Sequence, residues 1–459
     1  MKHVLFPPSG ARHLLVPLVA IGALIPCACT LSNESSGGTD GALLPERNDG
    51  PSPESFALWA APGENLLAAL ETVEENDATT VLAARNSVLG LLLNELGAYN
   101  SAALAYQPNN TPYRPKNMQC MDSVLPDAVA EVCNVLLDPE LRLVFIDDTP
   151  HFAQHRTLGR RLLECARDAG FETLVIELLE ESGEALSRRG HVSRTQSGRF
   201  LREPQLAGLV EDALRLGFVP LGLPHTEFCT DCPLNLALGA DARARATSLT
   251  EALSSAGPEA KVLVWAAQGQ AYQEPWGRAQ PYVNTLASYV AADTGIDPYS
   301  LLQLTVDAGT QLGPPAASEM YLASGPANGS CAGSYSPGTG TGRATHDGVV
   351  FHIAPPFGAE GSDAERWQWL HTLPTERMSV TPECGSCAPG ERLLVQAFPA
   401  EVDGTDRVPA DQALCRSGVP CQLSLPAGEY GLVVWSAATR LASQSVTLAT
   451  GVSATVRID

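Results

Sequence analysis

The run Phe145-Ile146-Asp147-Asp148-Thr149-Pro150-His151 closes an apolar stretch with an acid and an imidazole three residues apart. A carboxylate that orients an imidazole within hydrogen-bond reach lets the ring take a proton from water. Glu177 ends a second apolar stretch, and Asp148, His151 and Glu177 are residues to inspect at the ends of such stretches. Asp147, His155, Arg156, Trp265, Gln268 and Gln270 lie at or just beyond comparable stretches and are candidate ligand contacts. Plainer roles stand beside these. Asp147 and Asp148 can place negative charge near the following helix N-terminus, Glu177 can pair with Arg156 or Arg189, and Trp265 can be core. His225 can be a loop residue or a spatial substitute for a missing imidazole. His151 and His155, four apart, face one side of a helix start, but Phe152 stands where a zinc-protease motif carries Glu. No metal site is assigned, and a divalent metal stays an alternative.

The elements that must position these residues are read from hydrophobic period. Apolar, β-branched runs at Leu141 to Asp147, Thr173 to Glu177, Phe218 to Leu223, Lys261 to Ala266 and Leu301 to Thr305 predict strands. Helical spacing predicts helices over Leu158 to Ala169, from Pro204 to Leu214, over Leu249 to Ser255 and over Tyr282 to Thr294. Strand–helix alternation predicts an α/β fold with a mostly parallel sheet and flanking helices. Ligands bind such sheets beyond the strand carboxyl ends, which is where the candidate residues lie.

Around that domain the chain divides further. Lys2 and Arg12 precede an apolar run from Leu14 to Pro26, too short for a stable membrane anchor, so residues 1–29 predict a signal peptide. Residues 30–56 predict a flexible tether, 57–137 a Leu-rich helical region and 138–310 the α/β domain. Residues 311–379 predict a Gly/Pro-rich loop with a late edge strand at Val349 to Ile353. From 380 to 459 the period becomes two, which predicts an antiparallel β-sandwich. The chain of 459 residues is long enough for several cores, and 44% hydrophobic content is that of a globular protein. With 29 Lys and Arg against 51 Asp and Glu the net charge is −22, which argues against a nucleic-acid partner.

The order Phe145 to His151, Gln154-His155-Arg156, Glu177, Arg189-Gly190, Gly198, Glu203-Pro204, Leu216-Gly217 and Thr294 to Pro298 resembles the erythromycin esterase-like and ChaN/Tiki-like superfamily, in its bacterial secreted or lipoprotein branch. The resemblance covers roughly residues 140 to 310. It implies a hydrolase-like domain whose first loop carries an acid and a His, matched by Asp148 and His151, and whose next acid is matched by Glu177, which makes these three the candidate catalytic set. Where the family has a late His-x-Gly-x-Gly-His type segment, this chain reads Trp265-Ala266-Ala267-Gln268-Gly269-Gln270. Gln exchanges no proton near neutral pH, so the resemblance implies a degenerate, ligand-binding or scaffold member. An active ester or lactone hydrolase, a haem-binding lipoprotein and a purely structural surface protein are the alternatives. No cofactor is assigned; haem occurs within the superfamily.

The segment Leu24 to Cys29, followed by a polar tract, resembles a bacterial lipoprotein cleavage region, with Cys29 or Cys27 lipidated. The expected setting is therefore the cell envelope or outside, with the membrane reached through that lipid and an unidentified small molecule as the other partner. Cysteine usage fits an oxidising compartment. Cys229 with Cys232, Cys384 with Cys387, Cys415 with Cys421 and Cys120 with Cys133 are the expected disulfides, and Cys165, on an apolar helix face, is expected as a buried free thiol.

Overall fold

The computed structural model describes residues 66–67, 69–70, 82–106, 126–223, 234–273, 284–307, 320–324, 346–354, 367–370, 373–384, 387–388, 390–400, 406–436, 439–451 and 454–458. All belong to the unit Asp49–Asp459. The signal and the tether, with Cys27 and Cys29, and also Cys120, His225, Cys229 and Cys232, lie outside the described residues. No described helix is long and apolar enough to cross a membrane.

The helical region contributes α1 (Leu82–Glu95), α2 (Tyr99–Tyr106) and α3 (Ala128–Leu136). Asp127 caps α3 by accepting from Ala130 N at 2.9 Å. The α/β part then runs β1 (Leu143–Asp148), α4 (His155–Asp168), β2 (Phe171–Ile176), α5 (Gly183–Arg189), α6 (Pro204–Arg215) and β3 (Val219–Gly222). It continues with α7 (Leu234–Ala256), β4 (Lys261–Ala267), α8 (Leu286–Thr294), β5 (Tyr299–Asp307), β6 (Met320–Ser324) and β7 (Gly348–Ala354). The sheet order is β3-β2-β4-β1-β5-β7-β6, parallel except for β6. This is the expected α/β architecture.

All six β1 residues are buried because both sheet faces are covered. Val144 and Ile146 pack with α3, α4 and α6, whereas Leu143 and Phe145 pack with α7 and α8. The period of two therefore sends Asp148 toward the first face and Asp147 toward the second.

The strand expected at the sheet edge, β7, lies one place in, because β6 pairs antiparallel with it and takes the edge. Five residues flanked by Gly-, Pro- and Ser-rich sequence are too few to show a period, which is why that stretch reads as loop. A short helix, α9 (Trp367–Leu370), precedes the C-terminal part.

The C-terminal part has β8 (Glu376–Pro382), β9 (Arg392–Pro399), β10 (Asp411–Arg416), β11 (Cys421–Leu425), β12 (Gly428–Ser436), β13 (Thr439–Leu448) and β14 (Ala454–Ile458). An antiparallel sheet β10-β9-β12-β13 faces a sheet β11-β8-β14 across a shared apolar core, in which β14 runs parallel to β8. The helical region's Leu66, Leu67, Leu70, Leu92, Leu93 and Leu96 bury with Leu394, against which Leu414 and Trp435 also pack. Ser193 Oγ and Thr195 Oγ1 each donate to Asp406 at 2.6 Å, and Arg407 reaches Glu211 at 2.6 Å, tying the sandwich to the α/β part.

Disulfides join Cys384 to Cys387 and Cys415 to Cys421, as expected. The other expectation is corrected: Cys133 bonds Cys165, not Cys120, so Cys165 is not a free thiol. The two residues face each other across packed α3 and α4 with Cα atoms 5.7 Å apart. The apolar pattern around Cys165 marks the packed face correctly but does not name the helix it meets.

Candidate functional site

The sheet brings the carboxyl ends of β1, β4 and β2 side by side, with Ile146 and Ile176 both in register with Trp265. Each of the two consecutive acids of β1 enters a different network. Asp148 is fully buried, and its Oδ2 lies 3.1 Å from Arg156 Nη2 and accepts from Trp265 Nε1 at 3.1 Å. Burial pushes its carboxyl above the usual range, against the pull of Arg156 and Trp265. Arg156 also donates to the carbonyls of Thr149 and Pro150 at 3.2 and 3.1 Å, and its Nε lies 3.8 Å from Glu203 Oε2. Glu203 caps α6, accepting from Gln205 N at 2.7 Å and Leu206 N at 2.8 Å. Trp265 fits only because α4 presents a glycine to it: a Cβ on Gly159 would come within 2.5 Å of the indole.

On the other face, Asp147 Oδ1 accepts from Gly269 N at 2.6 Å. Burial raises its carboxyl well above the usual range, and the charges of Asp148 and Glu177 push the same way. Glu177 accepts from Ala267 N at 2.6 Å and from Arg245 of α7, which also pairs with Asp241 one turn earlier. Burial raises the Glu177 carboxyl, opposed chiefly by Arg245. The structural alternatives for Glu177 are therefore corrected, because Arg156 goes to Asp148 and Arg189 to Glu181. Arg245 sits on a helix distant in sequence, with no local signal linking it to the strand end.

His151 is buried in the turn after β1. The imidazole fixed beside Asp148 is His155, whose Nδ1 is 3.9 Å from Asp148 Oδ1, beyond hydrogen-bond range. Thr149 N donates to that nitrogen at 3.4 Å, and His155 Nε2 meets Thr305 Oγ1 at 3.1 Å. Its ring centroid is 4.8 Å from that of His352, whose Nε2 meets Gln303 Oε1 at 2.8 Å. Burial drives His155 well below its ordinary value, and lowers His352 to about 3. Burial favours the neutral form of both rings.

Of the remaining candidates, Gln268 is exposed in the loop after β4, and Gln270 accepts from Leu286 N at 3.0 Å at the start of α8. The structure thus gathers Asp148, His155, Arg156 and Trp265 on one face and Asp147 and Glu177 on the other. It adds Glu203, Arg245, Gln303 and His352. The Glu203-Pro204 pair, a helix-start signal, is the one local hint among those four. Among the described residues, no group of three His, Cys, Asp or Glu is placed to hold a metal ion.

No family model and no curated protein matches the chain. Among solved structures, the type III effector HopBA1 is similar at 11% identity over 51% of this chain and 99% of its own, with a TM-score of 0.29. RRSP, a MARTX toxin effector domain from Vibrio vulnificus CMCP6, is similar at 12% identity over 49% of each chain, with a TM-score of 0.26. Likenesses at this level carry no argument about function.

Proposed function

We propose that the protein is an exported, lipid-anchored binding or scaffold protein, built on a hydrolase-like α/β domain of the erythromycin esterase-like and ChaN/Tiki-like kind. In this reading its strand-end acids have turned from acid–base chemistry to bracing. The observation that carries it is the use of Asp148: one oxygen serves both the Trp265 indole and the Arg156 guanidinium, with no surface left to solvent. Trp265 stands where the resemblance would place an imidazole, and an indole N–H donates but takes no proton. Export and lipidation rest on Lys2, Arg12, the apolar run and Cys27 or Cys29, and the disulfides suit an oxidising compartment.

A second reading, an active ester or lactone hydrolase using Asp148, His151 and Glu177, draws on the burial of all three at or just beyond the strand ends, where Glu177 keeps a raised carboxyl. A thermal-shift screen against haem, divalent metals, esters and lactones, with turnover assays on each hit, separates the two. A stabilising ligand without turnover is the expected result. Turnover lost in His151→Ala would restore the hydrolase. A Soret band on haem titration would make it the haem-binding alternative, and a flat screen would leave a structural surface protein.

A further inference from the structure

The Cys384–Cys387 disulfide does little of what a structural cross-link does. A disulfide stabilises a fold mainly by restricting the unfolded chain, and least when the loop it closes is shortest. Cys133–Cys165 joins two helices over a separation of 32 residues, whereas Cys384 and Cys387 are 3 apart. They lie in the turn between β8 and β9, which backbone bonds hold without them. Cys387 N donates to Cys384 O at 3.2 Å and Glu391 N to Ala388 O at 3.0 Å. The neighbouring turn between β10 and β11 fastens both ends, with Gly418 N donating to Pro382 O at 2.9 Å and Ser417 N to Glu391 O at 3.0 Å. The Glu391 carboxylate accepts from Ala388 N at 2.9 Å and from Ser436 Oγ at 2.6 Å. The two sulfurs can therefore part and rejoin on a scaffold that stays in place. Both cysteines are half-buried on the rim of the sandwich core, within reach of a thiol from outside, while Cys415 of the adjacent disulfide is 3% exposed. Cations flank the turn: Arg457 pairs with Glu383, next to Cys384, and a Cβ on Gly390 would lie 4.0 Å from Arg416 Nη1. Positive charge beside a disulfide favours the thiolate that leaves when the bond opens, which speeds exchange.

We propose that Cys384–Cys387 is a thiol–disulfide exchange site that oxidises the thiols of an outside substrate. This activity is separate from ligand binding by the α/β part and does not rest on it. A substrate thiolate attacks one sulfur of the pair and forms a mixed disulfide, while the other cysteine leaves as a thiolate and takes up a proton. A second substrate thiol, giving up its proton, attacks the substrate sulfur of the mixed disulfide and releases the second cysteine. Two substrate thiols thus become one disulfide and the Cys384–Cys387 disulfide becomes two thiols, with two electrons and two protons passing from substrate to protein. The thiols can come from a polypeptide carrying two cysteines or from two molecules of a small thiol. The polypeptide is favoured, because its second attack is intramolecular.

The test mixes the oxidised full chain with a reduced two-cysteine peptide, or with reduced glutathione at equal thiol concentration, quenches with iodoacetamide at intervals and maps the alkylated cysteines by mass spectrometry. Cys384 and Cys387 are expected to be alkylated about tenfold or more faster than Cys133, Cys165, Cys415 and Cys421, with peptide disulfide appearing in step. Cys384→Ser and Cys387→Ser each leave one thiol in the turn. Offered the oxidised peptide, one of them is expected to accumulate a mixed disulfide, which identifies the sulfur that meets substrate. The double variant is expected to lose the rapid phase of peptide oxidation while keeping its urea midpoint. Faster reduction by the peptide than by glutathione would assign the polypeptide source, and the reverse the small thiol. Reduction of Cys384–Cys387 no faster than of Cys415–Cys421, or rapid peptide oxidation that survives in the double variant, would overturn the proposal and leave the pair a local staple. The first of these is read on the wild-type chain, so it decides the matter even if the variants do not fold.

Discussion

Two adjacent carboxyls, Asp147 and Asp148, are buried at the end of one strand and are satisfied in different ways. On the Asp148 face the partners are long side chains, Arg156 and Trp265, with Glu203 and Tyr99 linked behind them. On the Asp147 face they are backbone donors at the end of β4 and in the loop after it, Ala267 N to Glu177 and Gly269 N to Asp147, reinforced by Arg245. A side-chain network fails as a unit when its central charge is lost, whereas a backbone donor survives every substitution except proline. The two faces should therefore differ most in how they respond to loss of their arginine.

That difference sets the largest expected effect. Arg156→Met leaves Asp148 and Glu203 buried without their cation and is expected to cost about 3–5 kcal/mol in urea unfolding. Arg245→Met leaves Glu177 with its backbone donor, and Asp241 better placed to reach water, so a smaller loss of about 2–3 kcal/mol is expected. Equal losses, or the reverse order, would break the comparison between the faces.

The contrast also explains what was legible in the sequence. Strand period, helix starts such as Pro204 and the positions of the acids are local, and they place Asp147, Asp148 and Glu177 at the strand ends. Which face each acid takes follows from the period of two once β1 is known to be covered on both sides. The partners are another matter. Arg245 is 68 residues from Glu177, and Tyr99 is 104 from Glu203. Cys165 meets Cys133 over 32 residues. Contacts of that kind are fixed by how helices dock on the sheet, and nothing in the flanking residues encodes them. His151 drew attention through its spacing to Asp148, while His155, on the first turn of α4, has its ring placed by Thr305 from a strand much later in the chain.

The next effect comes from the imidazole pair behind the Asp148 face. His352 stays neutral in the fold down to about pH 3, whereas in the unfolded chain it takes a proton below about 6.5. The unfolded state thus binds the extra proton between those values, and stability falls as pH drops through that window. The raised acids Asp147, Asp148, Glu177 and Glu203 act oppositely, because the fold keeps their protons longer than the unfolded chain does. His352→Gln should remove the histidine contribution alone, making the stability–pH slope between pH 6 and 4 less positive by about 1.4 kcal/mol per unit. Unfolding curves at several pH values check this, and an unchanged slope would show that His352 is protonated in the native state.

A smaller loss is expected from Trp265→Phe, which keeps most of the ring volume facing Gly159 but deletes the N–H donated to Asp148. Asp148 retains Arg156, so the cost should be about 1–2 kcal/mol. The same variant should leave the Asp147 face unchanged, as judged by amide exchange at Gly269. A change there would mean that the two networks are coupled through β4.

The smallest effect tests the backbone side of the comparison. Gly269 has φ of 82°, a left-handed conformation that places its N–H on Asp147 Oδ1 at 2.6 Å. Alanine in that conformation meets its own carbonyl, so Gly269→Ala is expected to cost about 1 kcal/mol if the turn is kept. The Cβ adds no charge and removes no donor, and the turn after β4 is also held by Gln270 N donating to Ala267 O at 3.0 Å. The substitution should thus strain the loop without stranding the carboxyl, in contrast to Arg156→Met. A loss as large as that of the arginine variant, measured in the same urea titration, would show that the Gly269 donor is as indispensable to Asp147 as Arg156 is to Asp148, and the asymmetry between the faces would be gone.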